Sequence, residues 1–366
     1  MDVPKKAWSA DRRWKRQIKR ESEIVLLCNP RAGGRWKELA KILDSEEASH
    51  VRRIVTDSVE DIGPAVLGLK NAAGLVCLYG GDGTVQRILD HMFDADAADS
   101  ETVIALLGGG TMNVTSRWLG FGRSPGNNFQ HVVQGFRSGD LMFKEVPLMQ
   151  IQAGDNLHHG FTFGIGAIVR ILDAYERGKK GKAAAVKLGA QSALAAFMQL
   201  GSSKEMLESM SAKVTMDDTV LPYSQFATIF TNVTGQINPG VEPFTGERTR
   251  DSFYAAAYSV SAREFALYLP FIVRGLLPID AVSMIRKWSR GKISEPLDTD
   301  PRYINRAASS MLIETDEDLY TVDGEILRKP RGAPIRVTIG PTLKLAVGPK
   351  ASFSQTLRAA KSALRG

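Results

Sequence analysis

The chain has 366 residues, too long for one typical domain and comfortable for two, and its 43% hydrophobic and 24% charged residues suit a globular protein with a sizeable core. A net charge of +7 favours anionic partners such as nucleotides, nucleic acid or an acidic membrane surface. Cys28 and Cys77 each sit in an apolar run and read as buried thiols of a reducing compartment, which excludes a disulfide framework; no apolar run reaches the roughly 20 residues that span a bilayer, and the basic N-terminus lacks the apolar region of a secretory signal.

Residues 1–21 form a basic extension. Lys5, Lys6, Arg12, Arg13, Lys15, Arg16, Lys19 and Arg20 are mixed with Trp8 and Trp14. That mixture suits an interface with anionic headgroups, or a loosely docked basic tail. Residues 24–28 predict the first core strand, which ends in the breaker-rich turn Asn29-Pro30-Arg31-Ala32-Gly33-Gly34. A helix follows, with Trp36, Leu39, Ala40, Ile42 and Leu43 on its buried side. Residues 51–55 predict a second strand, and Thr56-Asp57 can start the next helix.

The apolar run 75–79 predicts a third strand, directly before Gly80-Gly81-Asp82-Gly83-Thr84. After that turn Val85, Ile88, Leu89 and Met92 recur at i, i+3, i+4 and i+7, the stripe of an amphipathic helix. The glycines permit positive φ and close approach of a ligand. The turn's N–H groups and the helix N-terminus present partial positive charge to a phosphate. Asp82, inside that turn, is either a base, a ligand for a bridging Mg²⁺, or a plain helix cap. Residues 103–107 form another strand, followed by Gly108-Gly109-Gly110-Thr111-Met112-Asn113 and a helix from Val114.

Alternating strands and helices predict a parallel sheet with helices on both faces. Ligands of such sheets bind beyond the carboxyl ends of the strands. Three glycine-bearing turns fall there, which points to a phosphate-binding crevice.

From about residue 144 short strand-like runs replace the alternation: 146–152, 159–163, 212–216, 225–232, 252–258, 311–315, 319–322, 335–339 and 343–347. Helical insertions are expected at 183–200 and 262–277. The second carries Phe265, Leu267, Tyr268, Leu269, Phe271, Ile272 and Leu276 around Pro270. It either packs as core or exposes a patch for lipid. An amphipathic helix at 352–363 is expected to dock back onto the first domain.

Taken together, these motifs resemble the diacylglycerol kinase catalytic family of lipid kinases, which includes sphingosine and ceramide kinases. Asn29-Pro30 with Gly33 is similar to its N-P-x-S/A-G turn. Gly80-Gly81-Asp82-Gly83-Thr84 resembles its nucleotide signature, and Gly110-Thr111-Met112-Asn113 its G-T-x-N loop. Gly164-Ile165-Gly166 looks like the G-x-G that opens the second domain, and Asp323-Gly324-Glu325 like its late D-G-E. The order and spacing agree over about residues 22 to 350.

The resemblance implies a Rossmann-like three-layer α/β/α nucleotide-binding domain at 22–143, followed by a β-sandwich lipid-substrate domain at 144–347. The segment 348–366 would dock on the first, with the active site in the cleft between domains. It implies transfer of the γ-phosphate of ATP to a lipid hydroxyl with Mg²⁺. Asn29, Pro30, Gly33, Thr56, Gly80, Gly81, Gly83, Thr84, Gly110, Thr111 and Asn113 would hold the nucleotide. Asp82 would act on the metal and phosphate. Asp323 and Glu325 would supply carboxylates, one of them the base; a plain β-turn is the other reading of that stretch.

The implied partners are a lipid substrate and an anionic membrane surface, with no nucleic acid, and homodimer formation is left open. The implied location is cytoplasmic, peripheral to the inner face of the membrane. NAD kinase, or a non-catalytic lipid binder on the same fold, is the alternative. Three departures from the family pattern stand out: Gly108 replaces a proline, Gln86-Arg87 replaces Asn-Glu, and Gly246-Glu247-Arg248-Thr249-Arg250-Asp251 keeps only two acids where relatives bind a structural metal, so none is expected.

Overall fold

A computed structural model describes residues 12–13, 23–32, 34–45, 48–69, 73–94, 102–110, 113–178, 208–237, 241–290 and 298–349. Most of the basic extension, Gly33, Thr111 and the helices expected at 183–200 and 352–363 lie outside the described residues. The chain divides into two units, residues 1–148 with 341–366, and residues 149–340.

The first unit begins with β1 (Arg12–Arg13), β2 (Glu23–Cys28), α1 (Trp36–Leu43), β3 (Val51–Val55) and α2 (Ile62–Leu67). It continues with β4 (Ala73–Tyr79), α3 (Asp82–Asp94), β5 (Val103–Leu106), α4 (Val114–Trp118) and α5 (Pro125–Ser138). β2 pairs in parallel with β3 and β4, and β4 with β5. Val25 to Cys28 and Leu75 to Tyr79 are fully or almost fully buried. That is the continuous apolar run of a strand covered on both faces. Leu39 and Leu43 of α1, and Ile88, Leu89 and Met92 of α3, supply the buried stripes expected from their spacing.

Two helix boundaries differ from the sequence reading. Thr56-Asp57 does not start α2. The Asp61 carboxylate instead accepts the N–H groups of Asp57 and Ser58, and the helix begins at Ile62. The helix from Val114 ends after Trp118, where Gly120 takes φ 87°. A separate helix, α5, then starts with Ser124 as cap and Pro125 in its first turn, and buries Phe129, Val132, Val133 and Phe136.

The chain leaves the first unit along β6 (Met142–Ala153). The second unit then holds β7 (Asn156–Gly160), β8 (Thr162–Gly166), α6 (Ala167–Gly178), β9 (Met210–Met216), β10 (Thr219–Val220), β11 (Gln225–Phe226), β12 (Thr228–Asn232) and β13 (Phe253–Tyr258). Next come α7 (Ala262–Ile272), α8 (Ala281–Ser289), β14 (Tyr303–Ala308), β15 (Ser310–Thr315), β16 (Leu319–Val322), β17 (Glu325–Arg328) and β18 (Ile335–Ala346). A six-stranded antiparallel sheet runs β14-β13-β12-β8-β16-β17. β9, β15 and the first part of β18 pair antiparallel beside it in sequence, and β6 forms a hairpin with β7.

The expected strands at 335–339 and 343–347 are one strand. Gly340-Pro341 does not break it, because proline and the residue before it both accept extended backbone. The chain returns to the first unit there, and Lys344 and Leu345 pair in parallel with Val103 and Ile104 of β5. β14, β17 and α8 were not anticipated. α7 is shorter than expected. It buries Phe265 and Ile272 against Phe230, Tyr258 and Tyr303.

Candidate functional site

The Asn29, Gly80 and Gly108 turns follow β2, β4 and β5, which are neighbours in the sheet. Backbone hydrogen bonds tie them edge to edge. Asn29 N–H donates to the Tyr79 carbonyl at 2.9 Å, Leu107 N–H to Leu78 at 2.9 Å, and Gly109 N–H to Gly80 at 2.8 Å. The Tyr79 hydroxyl donates to the Ala32 carbonyl at 3.0 Å. Tyr79 thus braces the Asn29 turn against the glycine loops, a role the sequence reading missed. The available signal was an aromatic at the last position of a strand, directly before two glycines.

The glycines also let the loops meet. A Cβ on Gly110 would lie 2.6 Å from the Gly81 Cα, and one on Gly80 would lie 2.8 Å from the Thr84 side chain. A Cβ on Gly109 would come within 3.0 Å of the Tyr79 ring. The loops need glycine first to touch each other, backbone on backbone. Gly81 is different, since its Cβ would meet only the Gly110 Cα at an ordinary 3.6 Å.

Asp82 is the first residue of α3. Its carboxylate does not close on its own helix alone. Oδ2 accepts the Asn113 N–H at 3.0 Å and Oδ1 accepts the Val114 N–H at 3.2 Å. Asp82 therefore caps α4 across the loops. Asn113 sits in the left-handed region at φ 49°, which asparagine tolerates. Its Oδ1 accepts the Gly110 N–H at 2.8 Å and its Nδ2 donates to the Gly110 carbonyl at 2.6 Å, closing the loop on itself. Below it, the Ser116 hydroxyl donates to the Leu106 carbonyl and the Asn128 amide to the Leu107 carbonyl, fixing the end of β5.

α3 makes its first backbone hydrogen bond from Val85 N–H to the Gly81 carbonyl at 3.0 Å. Gly83 and Thr84 lie in the preceding first turn, where helix N–H groups have no partner within the helix. Asn29 holds its own turn, with its Oδ1 accepting the Arg31 N–H at 3.0 Å. Pro30 follows it, half-buried. Thr56 is only 1% exposed and its hydroxyl donates to the Cys28 carbonyl at 3.3 Å, so its oxygen is committed to the scaffold. Burial pushes the Cys28 thiol up to about 11 and raises Cys77 too, which keeps both unreactive.

In the second unit Asp323 and Gly324 turn the β16–β17 hairpin with φ 49° and 91°. The Asp323 carboxylate accepts the Phe161 N–H at 3.0 Å and the Thr162 N–H at 2.8 Å. Glu325, two residues on, opens β17 half-buried, and its carboxylate has no hydrogen-bond or ion-pair partner among the described residues. In the 246–251 loop the Arg248 guanidinium donates to the Ser252 carbonyl at 2.6 Å and lies over the Tyr254 ring. The Gly164-Ile165-Gly166 stretch is the end of β8, and a Cβ on Gly166 would meet the Ala227 carbonyl at 2.7 Å.

Residues 23–142 match the family model of the diacylglycerol kinase catalytic domain. That stretch is similar to the catalytic domain of this kinase family. The Asn29 turn, both glycine loops and Asp82 lie inside the matched range, whereas Asp323 and Glu325 lie outside it. Three solved structures from Bacillus anthracis strain Sterne share the fold. A candidate diacylglycerol kinase aligns at 16% identity and TM-score 0.60, covering 90% of this chain and 99% of that one. A second candidate aligns at 18% and 0.60 with the same coverage, and a diacylglycerol kinase at 15% and 0.54 over 90% and 98%. A search of curated proteins found no match.

Proposed function

We propose that the protein transfers the γ-phosphate of ATP to the hydroxyl of a neutral membrane lipid of the diacylglycerol or ceramide type. The observation that carries the reading is Asp82. Its carboxylate stands at the N-terminus of α3, between two glycine loops, with its orientation fixed by the Asn113 and Val114 N–H groups. Phosphoryl transfer needs mainly positioning and charge neutralisation, so a pre-oriented acid beside an anion-binding helix terminus fits it. The Gly83 and Thr84 turn would bind phosphate oxygens.

Mg²⁺ is commonly held by one or two carboxylates together with substrate phosphates and water. Asp82 fits that role; among the described residues no group of three or more His, Cys, Asp or Glu side chains forms a protein cage. When bound, the metal would neutralise the charge that builds on the transferring group.

The acceptor hydroxyl needs a base. The Asp323 carboxylate is committed to the Phe161 and Thr162 N–H groups. Glu325 has no such donors among the described residues, and we assign the base to it and a positioning role to Asp323. ATP and a bilayer lipid meet at a cytoplasmic membrane surface, and the protein works there peripherally.

The test is transfer of γ-labelled phosphate from Mg-ATP to dioctanoylglycerol, ceramide, sphingosine and NAD by the purified protein. Label in dioctanoylglycerol or ceramide is expected. Label in NAD with none in any lipid would overturn the reading.

A further inference from the structure

Helix α8 is inside out. Its sequence puts Val282, Met284, Ile285 and Trp288 on one side and Ser283 and Lys287 on the other. In an ordinary surface helix the apolar side faces the core. Here the polar side is docked: the Ser283 hydroxyl donates to one Asp298 oxygen, and the Lys287 ammonium donates to the other at 2.9 Å. Asp280 caps the start by accepting the Val282 N–H at 3.0 Å. Ile285 is left 60% exposed and Trp288 69% exposed.

The neighbouring segment adds to this surface. Leu267 and Phe271, one turn apart on α7, point away from the aromatic core that takes Phe265 and Ile272, and are 71% and 53% exposed. Among the described residues thirteen large hydrophobic side chains are exposed, and eight of them fall between Leu267 and Trp288. Scattered exposed hydrophobics are ordinary, but a concentration like this marks an interaction surface.

Charge identifies the partner. Among the described residues the acids of the segment are already engaged: Glu264 and Asp300 pair with Arg302 at 2.8 and 2.7 Å, Asp298 pairs with Lys287, and Asp280 caps α8. Arg263, Arg286 and Arg290 are exposed and have no ion-pair partner among the described residues. The surface therefore offers apolar side chains, a tryptophan and unpaired guanidinium groups together. That combination matches the boundary between acyl chains and anionic headgroups. No helix among the described residues is long and apolar enough to cross a membrane.

We infer that the α7–α8 segment is an interfacial anchor that docks on a bilayer carrying anionic headgroups. The anchor inserts the α8 stripe and the Leu267–Phe271 pair, while Arg263, Arg286 and Arg290 meet lipid phosphates. The choice of a bilayer as partner rests in part on the lipid-kinase reading, whose acceptor resides there.

The experiment is sedimentation of the full-length protein with vesicles of phosphatidylcholine alone, or of equal parts phosphatidylcholine and phosphatidylglycerol. The wild-type protein is expected to bind the mixed vesicles more tightly, and less so in high salt. Ile285→Ser with Trp288→Ser should weaken binding by about tenfold or more, since two large side chains no longer leave water. Arg286→Gln with Arg290→Gln should weaken binding to mixed vesicles severalfold and leave binding to neutral ones unchanged. Both pairs are exposed, so thermal melting should match the wild type.

Wild-type binding by the serine double variant would overturn the inference, as would a wild-type protein that binds neither vesicle. If that variant converts a dimer to a monomer in sedimentation velocity and still binds vesicles normally, the face joins two copies of the chain and the inference also falls. Wild-type turnover of a lipid acceptor, soluble dioctanoylglycerol or ceramide, separates the two readings. Vesicle binding through this face without turnover would overturn the kinase and leave the anchor; turnover without vesicle binding would overturn the anchor alone.

Discussion

The Asp82 carboxylate accepts the Asn113 backbone N–H at 3.0 Å, across 31 positions of sequence. This bond makes one unit of two loops that follow different strands. Asn113 in turn closes its own loop on Gly110, whose backbone rests against Gly81. The chain of contacts runs from the start of α3 to the start of α4. The first residue of α3 therefore caps the start of α4.

Gly110 and Gly81 should respond differently to an added methyl group. Gly110→Ala places a Cβ 2.6 Å from the Gly81 Cα, which only a separation of the loops can relieve. Gly81→Ala meets nothing closer than 3.6 Å. The expected result is a loss of about 1–3 kcal/mol and weakened ATP binding for Gly110→Ala, typical of forced overpacking. Gly81→Ala should melt close to the wild type. Thermal melts with and without ATP check both; equal behaviour of the two variants would show that the loops are not in contact.

Asp323→Asn and Glu325→Gln should separate positioning from proton transfer. Asparagine keeps one acceptor but turns an amide toward the Phe161 and Thr162 N–H groups. That should cost about 1–3 kcal/mol of stability, the range for leaving a backbone donor unsatisfied. Glu325→Gln removes no hydrogen bond among the described residues. It should melt normally, bind ATP normally, and lose about 10²–10⁴ in turnover with lipid, the range of general-base catalysis. A larger turnover loss for Asp323→Asn at unchanged stability would move the base to Asp323.

How far the site was legible in the sequence depends on the range of each interaction. The strands before Asn29, Gly80 and Gly108 were visible as short apolar runs ending in glycine, and parallel pairing brings those ends together as expected. The partner of Asp82 was not visible, because no local period connects it to Asn113. Thr56 looked like a helix start, yet α2 begins at Ile62, and Thr56 is buried with its hydroxyl donating to the Cys28 carbonyl. Gly340-Pro341 looked like a break, and the extended backbone suited both residues. The apolar stripe of α8 could be read from its spacing, but its outward direction is set by Asp298, which lies beyond the helix. The family resemblance supplied the roles of Asp323 and Glu325, while only their hydrogen bonds distinguish them.

Asp217 should make the second unit sensitive to acid. Burial opposes its charge, but the Ser309 hydroxyl and the Ser309 and Ser310 N–H groups outweigh that and hold its carboxyl below the usual range. A carboxyl depressed in the folded state stabilises above its unfolded pKa, about 3.9, and that contribution is lost as pH falls through the folded value. Asp217→Asn keeps the left-handed turn at φ 47° but removes the charge. Urea melts should show the variant less stable than the wild type near neutral pH, with the gap closing below about pH 4. A gap that stays constant well below about pH 4 would assign the effect to packing.

The most direct test of the central claim is Asp82→Asn, measured for labelled phosphate transfer to dioctanoylglycerol and for melting temperature on the same preparation. The substitution keeps the size of the side chain. It removes the charge and can satisfy only one of the Asn113 and Val114 N–H groups. The account predicts a stability loss of about 1–2 kcal/mol, the scale of a lost helix cap, together with a fall in kcat of about 10²–10³ from lost electrostatic stabilisation. A folded Asp82→Asn protein with wild-type turnover, destabilised or not, would show that Asp82 only caps α4 and that the phosphotransfer centre lies elsewhere.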